Sequence, residues 1–336
     1  MNNNKYILDV KSRKDSNDAM FKPKNDIAKV LNQNGYESVP YFFSKNKFQK
    51  LLEFERLAYK INRINDGIFV YQYPISSNFI GIHILDKLLQ RKVKIIGIIH
   101  DVESLRFSNG NREFINNELS ILKKFDGLIV HSVPMMNWLK SNGIISPMVV
   151  LGPFDYLNCQ PMLDVFSYEK SIVYAGNLLK VSFLTNLNIN TKIFVLGPHP
   201  SNKYPQNIIY LGKYGPNIVT KYLKGSFGLV WDSVNFSKGR VIYKKEYNKY
   251  NCPYKLSMYL SSGLPVIVWE KSALASFVMD NNVGIVISSL SELDKELNLI
   301  NENQYMSMVN NARIIGNKLR NGEFILMALK DILNEI

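Results

Sequence analysis

The chain has 336 residues, of which 46% are hydrophobic and 12% aromatic, a globular composition long enough for two domains of roughly 150 residues each. No run of about 18 apolar residues is present to span a bilayer, the first residues carry no charged-then-apolar leader, and Cys159 and Cys252 stand alone, without a disulfide framework or metal-ligand spacing; a cytoplasmic protein with reduced thiols is expected. The net charge of +13 admits an anionic partner, yet the basic clusters at 11–24 and 238–249 come with no nucleic-acid module, so no nucleic acid is expected, and a solvated basic face or a weak membrane-surface attraction stays open.

Apolar segments alternate with helical patterns along the first half, the sign of parallel βαβ units rather than hairpins. Strands are predicted over 5–10, 38–43, 67–71, 93–99, 127–131 and 148–151, with helices over 21–34, 81–91, 111–124 and 133–141. Ser16 and Asn17 follow the first strand at its carboxyl end, where open α/β sheets bind ligands. His100 and Asp101 end the strongly apolar segment 93–99, so they emerge at a sheet edge where either can deprotonate a hydroxyl. A histidine bonded to nearby backbone is the equal alternative, and His131 is similarly ambiguous. His83 and His199 read as structural or surface residues. Gly152, Pro153 and Pro161 interrupt the pattern over 151–166, which marks the hinge.

The alternation restarts with strands over 171–175, 192–196, 208–210, 228–231, 265–269 and 284–287, separated by helices over 218–224, 255–262 and 273–280. Residues 303–336 are predicted helical throughout, with an apolar set at Ile325, Leu326, Leu329, Ile332 and Leu333. Two alternating halves imply two doubly wound domains.

The segment 251–267 combines the most signals. Pro253 suits a first helical turn, and Leu256, Tyr259 and Leu260 at i, i+3, i+4 give the helix one face to pack on a sheet. Lys255 falls in the first turn, beside free backbone N–H groups that attract anions, phosphate above all. Gly263 can close the helix before a buried strand. An amphipathic helix with a solvated Lys255 is the plainer alternative. Upstream, Ala175-Gly176-Asn177 ends a strand, where glycine lets backbone approach a ligand closely, and Lys180 can place a second cation opposite Lys255. Two cations on a diphosphate can replace a metal ion. Asp232 has no acidic neighbour two residues away, so no Asp-x-Asp motif forms there and metal-independent chemistry is expected.

The 251–267 layout resembles the nucleotide-sugar site of GT-B glycosyltransferases, whose signature reads Pro-x-Lys-x-x-Glu-x-x-x-x-Gly-x-Pro-Val-Ile. Pro253, Lys255, Gly263, Pro265, Val266 and Ile267 match, while Met258 replaces the glutamate that typically holds the donor ribose. The stretches 11–19, His100-Asp101-Val-Glu103-Ser-Leu-Arg106-Phe107 and Tyr174-Ala-Gly-Asn177-Leu-Leu-Lys180 are similar to the bacterial glucosyltransferase 3 family over nearly the whole chain. That resemblance implies an α/β GT-B fold, two Rossmann-like domains facing an interdomain cleft: residues 1–155 for the acceptor, completed by the terminal helix of about 316–336, and 156–315 for the nucleotide sugar. It also implies a hexosyltransferase that moves a sugar, glucose from UDP-glucose first, onto a protein-linked N-acetylglucosamine of serine-rich repeat adhesins. UDP-N-acetylglucosamine or UDP-galactofuranose are the alternative donors, since a related branch transfers galactofuranose.

In that frame the donor-binding candidates are Ser16, Asn17, Gly176, Asn177, Lys180, Tyr214, Tyr250, Asn251, Lys255, Leu256 and Ser257, with His100 and Asp101 catalytic. The loop Leu211-Gly212-Lys213-Tyr214 resembles one that faces uracil, a structural turn being as good a reading. No cofactor is expected, the UDP-sugar being a substrate, and the family implies a homo-oligomer, dimer or tetramer. An oxidoreductase would need a Gly-x-Gly-x-x-Gly after the first strand, which is absent. A non-catalytic partner of another transferase would not need Lys180 and Lys255.

Overall fold

The computed structural model describes residues 4–12, 21–44, 46–75, 78–107, 110–164, 167–232, 235–237, 240–242 and 245–336. They form two compact units, residues 1–151 with 324–336, and residues 152–323.

In the first unit the chain runs β1 (Lys5–Ser12), α1 (Lys22–Gln33), β2 (Glu37–Phe43), α2 (Lys47–Ile61), β3 (Asp66–Tyr73), α3 (Asn78–Leu89), β4 (Lys92–Ile99), α4 (Glu103–Phe107), α5 (Arg112–Leu122), β5 (Gly127–Val130), α6 (Val133–Ser141) and β6 (Met148–Val150). The strands pair in parallel in the order β2-β1-β3-β4-β5-β6. Ile95, Ile96, Ile98 and Ile99 of β4 are all fully buried, as a strand covered on both faces requires. Helix starts follow local chemistry: Pro23 sits in the first turn of α1, Asn111 accepts the Phe114 N–H at 3.1 Å, and Ser132 accepts the Met135 N–H at 3.2 Å. The chain winds from β1 to β2 and then resumes with β3 on the other side of β1. That reversal makes the carboxyl ends of β1 and β3 a switch point, the place where open α/β sheets take ligands.

The second unit runs β7 (Ile172–Ala175), β8 (Ile193–Leu196), β9 (Ile208–Tyr210), β10 (Phe227–Val230), β11 (Asn235–Ser237), β12 (Arg240–Ile242), α7 (Tyr254–Leu260), β13 (Val266–Trp269), α8 (Ala275–Asp280), β14 (Gly284–Ile287), α9 (Leu293–Leu299) and α10 (Glu302–Asn321). Six strands pair in parallel as β14-β13-β10-β7-β8-β9, and β11 and β12 form a separate antiparallel pair. From β7 the chain winds through β8 to β9, then returns to β10 on the other side of β7. The second switch point therefore lies at the carboxyl ends of β7 and β10. Tyr174, Ile193, Phe227, Leu229, Ile267, Leu293 and Tyr305 lie in the core of this unit.

Several elements differ from the sequence expectation. α2 was not predicted, because its apolar residues divide between two faces: Leu57 and Ile61 are buried, while Phe48, Leu51 and Tyr59 are exposed. The helix expected over 218–224 is a single 3₁₀ turn, Val219–Tyr222. Residues after β7 form 3₁₀ turns over Leu178–Asn186, kinked at Val181. The continuous helix expected over 303–336 is two helices: α10 ends at Gly322, whose φ of 74° is left-handed, and α11 (Glu323–Glu335) follows. α11 packs closely in the first unit, where a Cβ on Gly127 would lie 2.8 Å from Ile332.

Candidate active site

The carboxyl ends of β7 and β10 bring together residues far apart in the chain. Tyr174, at the end of β7, donates its hydroxyl to Asp232 Oδ1 at 3.1 Å, two residues beyond β10. Lys255, in the first turn of α7, donates to Tyr174 Oη at 2.9 Å, pairs with Asp232 Oδ1, and lies 4.4 Å from the Tyr174 ring centroid. Lys180 Nζ stands 3.5 Å from Asp232 Oδ2. One carboxylate is thus shared by two ammonium groups. Asn248 secures this corner by donating to the Asp232 carbonyl at 2.9 Å.

Electrostatics of the cluster follow from its burial. Burial pushes the Asp232 carboxyl up, but the charges of Lys255 and Lys180, with hydrogen bonds from Lys255 and Tyr174, hold it below its ordinary value. Burial lowers Lys255, Asp232 opposes that, and Lys180 adds to it, leaving the ammonium below the ordinary lysine value. The Tyr174 hydroxyl, buried and beside Asp232, is raised far above the usual range and stays a donor. The lysine pair is held in place by the Asp232 carboxylate.

Backbone packing at this edge is close. A Cβ on Gly176 would lie 3.3 Å from Tyr174 Oη and 3.5 Å from Lys255 Cε. The Gly176 N–H donates to Leu196 O and the Gly197 N–H to Gly212 O, each at 2.9 Å, so three glycines line the carboxyl edge of β7, β8 and β9. Gly197 has no room for a side chain: its φ is 141° and a Cβ would fall 1.8 Å from Gly176 O. The Ala175 N–H donates to Tyr259 Oη at 2.8 Å, which fastens α7 to β7.

The other donor-site candidates take varied positions. Asn177 accepts the Leu179 N–H at 3.1 Å and starts the 3₁₀ turns that carry Lys180. Tyr214 donates to Leu211 O at 2.9 Å and stacks on Tyr222 with centroids 3.8 Å apart. The N–H groups of Tyr250 and Asn251 donate to Tyr247 O at 3.0 and 3.1 Å. Leu256, Ser257 and Met258 are buried in α7, whose N-cap Pro253 supplies no side-chain hydrogen bond. Ser16 and Asn17 lie outside the described residues.

In the first unit, His100 and Asp101 do follow β4. His100 Nε2 lies 2.9 Å from Gln72 Oε1, and its backbone N–H donates to Tyr73 O at 2.7 Å. Burial, then Lys24 and His131, hold its imidazole well below the ordinary histidine range, so it is neutral near pH 7. Asp101 Oδ2 accepts from Arg106 Nη1 at 2.7 Å. Lys24, in the first turn of α1, donates to Gln72 O at 3.2 Å and Pro74 O at 2.5 Å, and burial pulls it down to about 7 against the nearby charges of Asp101 and Glu103. Sequence reading missed Tyr174, Asp232 and Gly197 in the second unit, and Lys24 and Gln72 in the first. The signal for Gly197 was available, a glycine directly after a strand.

Residues 4–153 match the glucosyltransferase 3-like N-terminal domain, and residues 172–332 its C-terminal domain. The β-1,6-galactofuranosyltransferase WbbI of Escherichia coli (strain K12) is 30% identical over 81% of each chain. Glucosyltransferase 3 of Streptococcus parasanguinis is 29% identical over 72% of this chain and 70% of its own, and that of Streptococcus gordonii 24% identical over 93% of each. Among solved structures, sucrose-phosphate synthase from Thermosynechococcus elongatus superposes with a TM-score of 0.69 at 12% identity, covering 99% of this chain and 98% of its own. The Anabaena protein HepE in complex with UDP does so with a TM-score of 0.62 at 10% identity, covering 98% and 100%. The two parallel sheets and these likenesses define a two-domain, Rossmann-like GT-B fold. With both of its domains matched and relatives of this similarity, the chain belongs to the glucosyltransferase 3-like family of glycosyltransferases.

Proposed function

We propose that this protein moves a hexose from a UDP-sugar, glucose from UDP-glucose in the leading reading, onto a protein-linked N-acetylglucosamine, as in O-glycosylation of serine-rich repeat adhesins. The observation that carries the reading is the sharing of Asp232 by Lys180 and Lys255 at the second switch point. A diphosphate brings more charge and more acceptor oxygens than one carboxylate, so it competes with Asp232 for both ammonium groups. As the sugar–phosphate bond breaks, negative charge grows on the leaving UDP, and cations already held in place stabilise it without reorganising. That supports chemistry independent of a metal ion.

Relatives named glucosyltransferase 3 support glucose as the donor sugar, and HepE, which holds UDP, supports the nucleotide. The similarity to a galactofuranosyltransferase favours a second reading, galactofuranose transfer to a glycan. Proton removal from the acceptor hydroxyl falls to His100, since Arg106 already occupies Asp101. Self-association into a dimer or tetramer, a cytoplasmic location and weak attraction to anionic membrane surfaces belong to the same proposal; no helix among the described residues is long and apolar enough to cross a membrane.

The test is transfer from UDP-glucose, UDP-N-acetylglucosamine and UDP-galactofuranose to an N-acetylglucosamine-bearing peptide, with and without chelator. Transfer of glucose that chelator leaves unchanged is expected. Transfer of galactofuranose alone moves the conclusion to the second reading, and no transfer from any UDP-sugar overturns it.

A further inference from the structure

We propose that Gln72 is a positioning residue that fixes the proton of His100 on Nε2, leaving Nδ1 as the nitrogen through which this imidazole accepts a proton. Gln72 is the penultimate residue of β3 and is fully buried, where an unsatisfied amide is costly. Its Nε2 donates to Leu8 O at 3.0 Å and to Lys24 O at 3.1 Å. Backbone carbonyls only accept, so both amide hydrogens are committed and the orientation of the amide is fixed. The opposite end, Oε1, faces His100 Nε2 at 2.9 Å. An amide oxygen cannot donate, and the hydrogen of that bond therefore sits on His100 Nε2.

The surroundings agree with a neutral ring. Lys24 reaches over from α1, with its ammonium on the carbonyls of Gln72 and Pro74, and His131 follows β5. Asp101, Glu103 and Arg106 follow β4; Asp101 is bound by Arg106. A second proton on His100 would face Lys24 and desolvation together. The place of the proton does not depend on the reaction; only the catalytic meaning of Nδ1 rests on the function proposed above.

Long-range ¹⁵N–¹H spectra of the histidine-labelled full chain at pH 7, with His100→Gln to assign the signals, read the tautomer directly. A protonated Nε2 and an unprotonated Nδ1 are expected. A protonated Nδ1, or an imidazolium, overturns the proposal. Gln72→Glu supplies the second measurement: a carboxylate facing Nε2–H favours the imidazolium, so the acidic limb of the kcat/KM profile should move up by about one pH unit or more. An unmoved limb in folded Gln72→Glu, where His100→Ala has lost activity, contradicts the proposal. Should that variant fail to fold, the wild-type spectrum decides alone. Full activity of His100→Ala would remove the histidine from catalysis while leaving the tautomer result standing, so the two failures are distinguishable.

Discussion

Lys255 pairs with Asp232 in the fold and, in the proposed function, also binds the donor diphosphate; substitution separates the two. The plainer of the two sequence readings has it solvated at a helix end. The structure corrects this: its side chain is 14% exposed and shares Asp232 with Lys180. Lys255→Ala should therefore lower kcat/KM about 10²- to 10³-fold and also cost about 1–3 kcal/mol, because a largely buried carboxylate loses a charged partner. In an Asp232→Asn background the stability cost should shrink, which denaturant titration of the four proteins in the cycle would show; additive costs would deny the coupling. Lys24 gives a pH prediction. Its folded-state value, about 7, lies below the ordinary 10.5, so the unfolded chain binds more protons between those values and stability rises with pH across that window. Relative to Lys24→Met, the wild-type protein should gain up to about 1.4 kcal/mol per pH unit there and lose it as pH falls toward 7; parallel stability curves would refute it. Lys180 and Lys255 were legible in the sequence, each beside a strand end or helix start. Their partners Tyr174 and Asp232 were not, being 58 positions apart and adjacent only because β7 neighbours β10. Gln72 sits in an apolar run and reads as core until its carbonyl acceptors are known.

At the scale of elements, the site depends on how closely α7 lies against β10. Gly228 in β10 makes that approach possible, since a Cβ there would fall 2.2 Å from the Tyr259 ring. Tyr259 in turn takes the Ala175 N–H beside Gly176. Gly228→Ala should destabilise the protein by about 1–3 kcal/mol through overpacking and weaken UDP binding, because α7 carries Lys255. Thermal melting and UDP titration of the one variant check both effects; an unchanged melting temperature would show that α7 has slack. Strands were the most legible elements, because parallel strands buried on both faces are short unbroken apolar runs. Helices with exposed apolar residues, such as α2, and helices replaced by 3₁₀ turns, such as Val219–Tyr222, were least legible. The break at Gly322 was marked in the sequence by a glycine, but an apolar period that continues on both sides hides it.

At the scale of the molecule, each unit has its own sheet, its own core and its own switch point, and every chemically distinctive cluster described above lies at one of the two. The doubly wound class was readable from alternation alone, whereas strand order, which decides where the switch points fall, was not. In the proposed function the second switch point holds a diphosphate on Lys180 and Lys255. Calorimetric titration in chelator with UDP, UMP and NAD, on the wild-type protein and on a variant carrying Lys180→Ala and Lys255→Ala, tests it most directly. UDP should bind the wild-type protein at least about tenfold more tightly than UMP, a difference of about 1.4 kcal/mol or more, and the double variant should lose that preference. Equal affinity for UDP and UMP, undiminished UDP binding by the double variant, or a preference for NAD would contradict it.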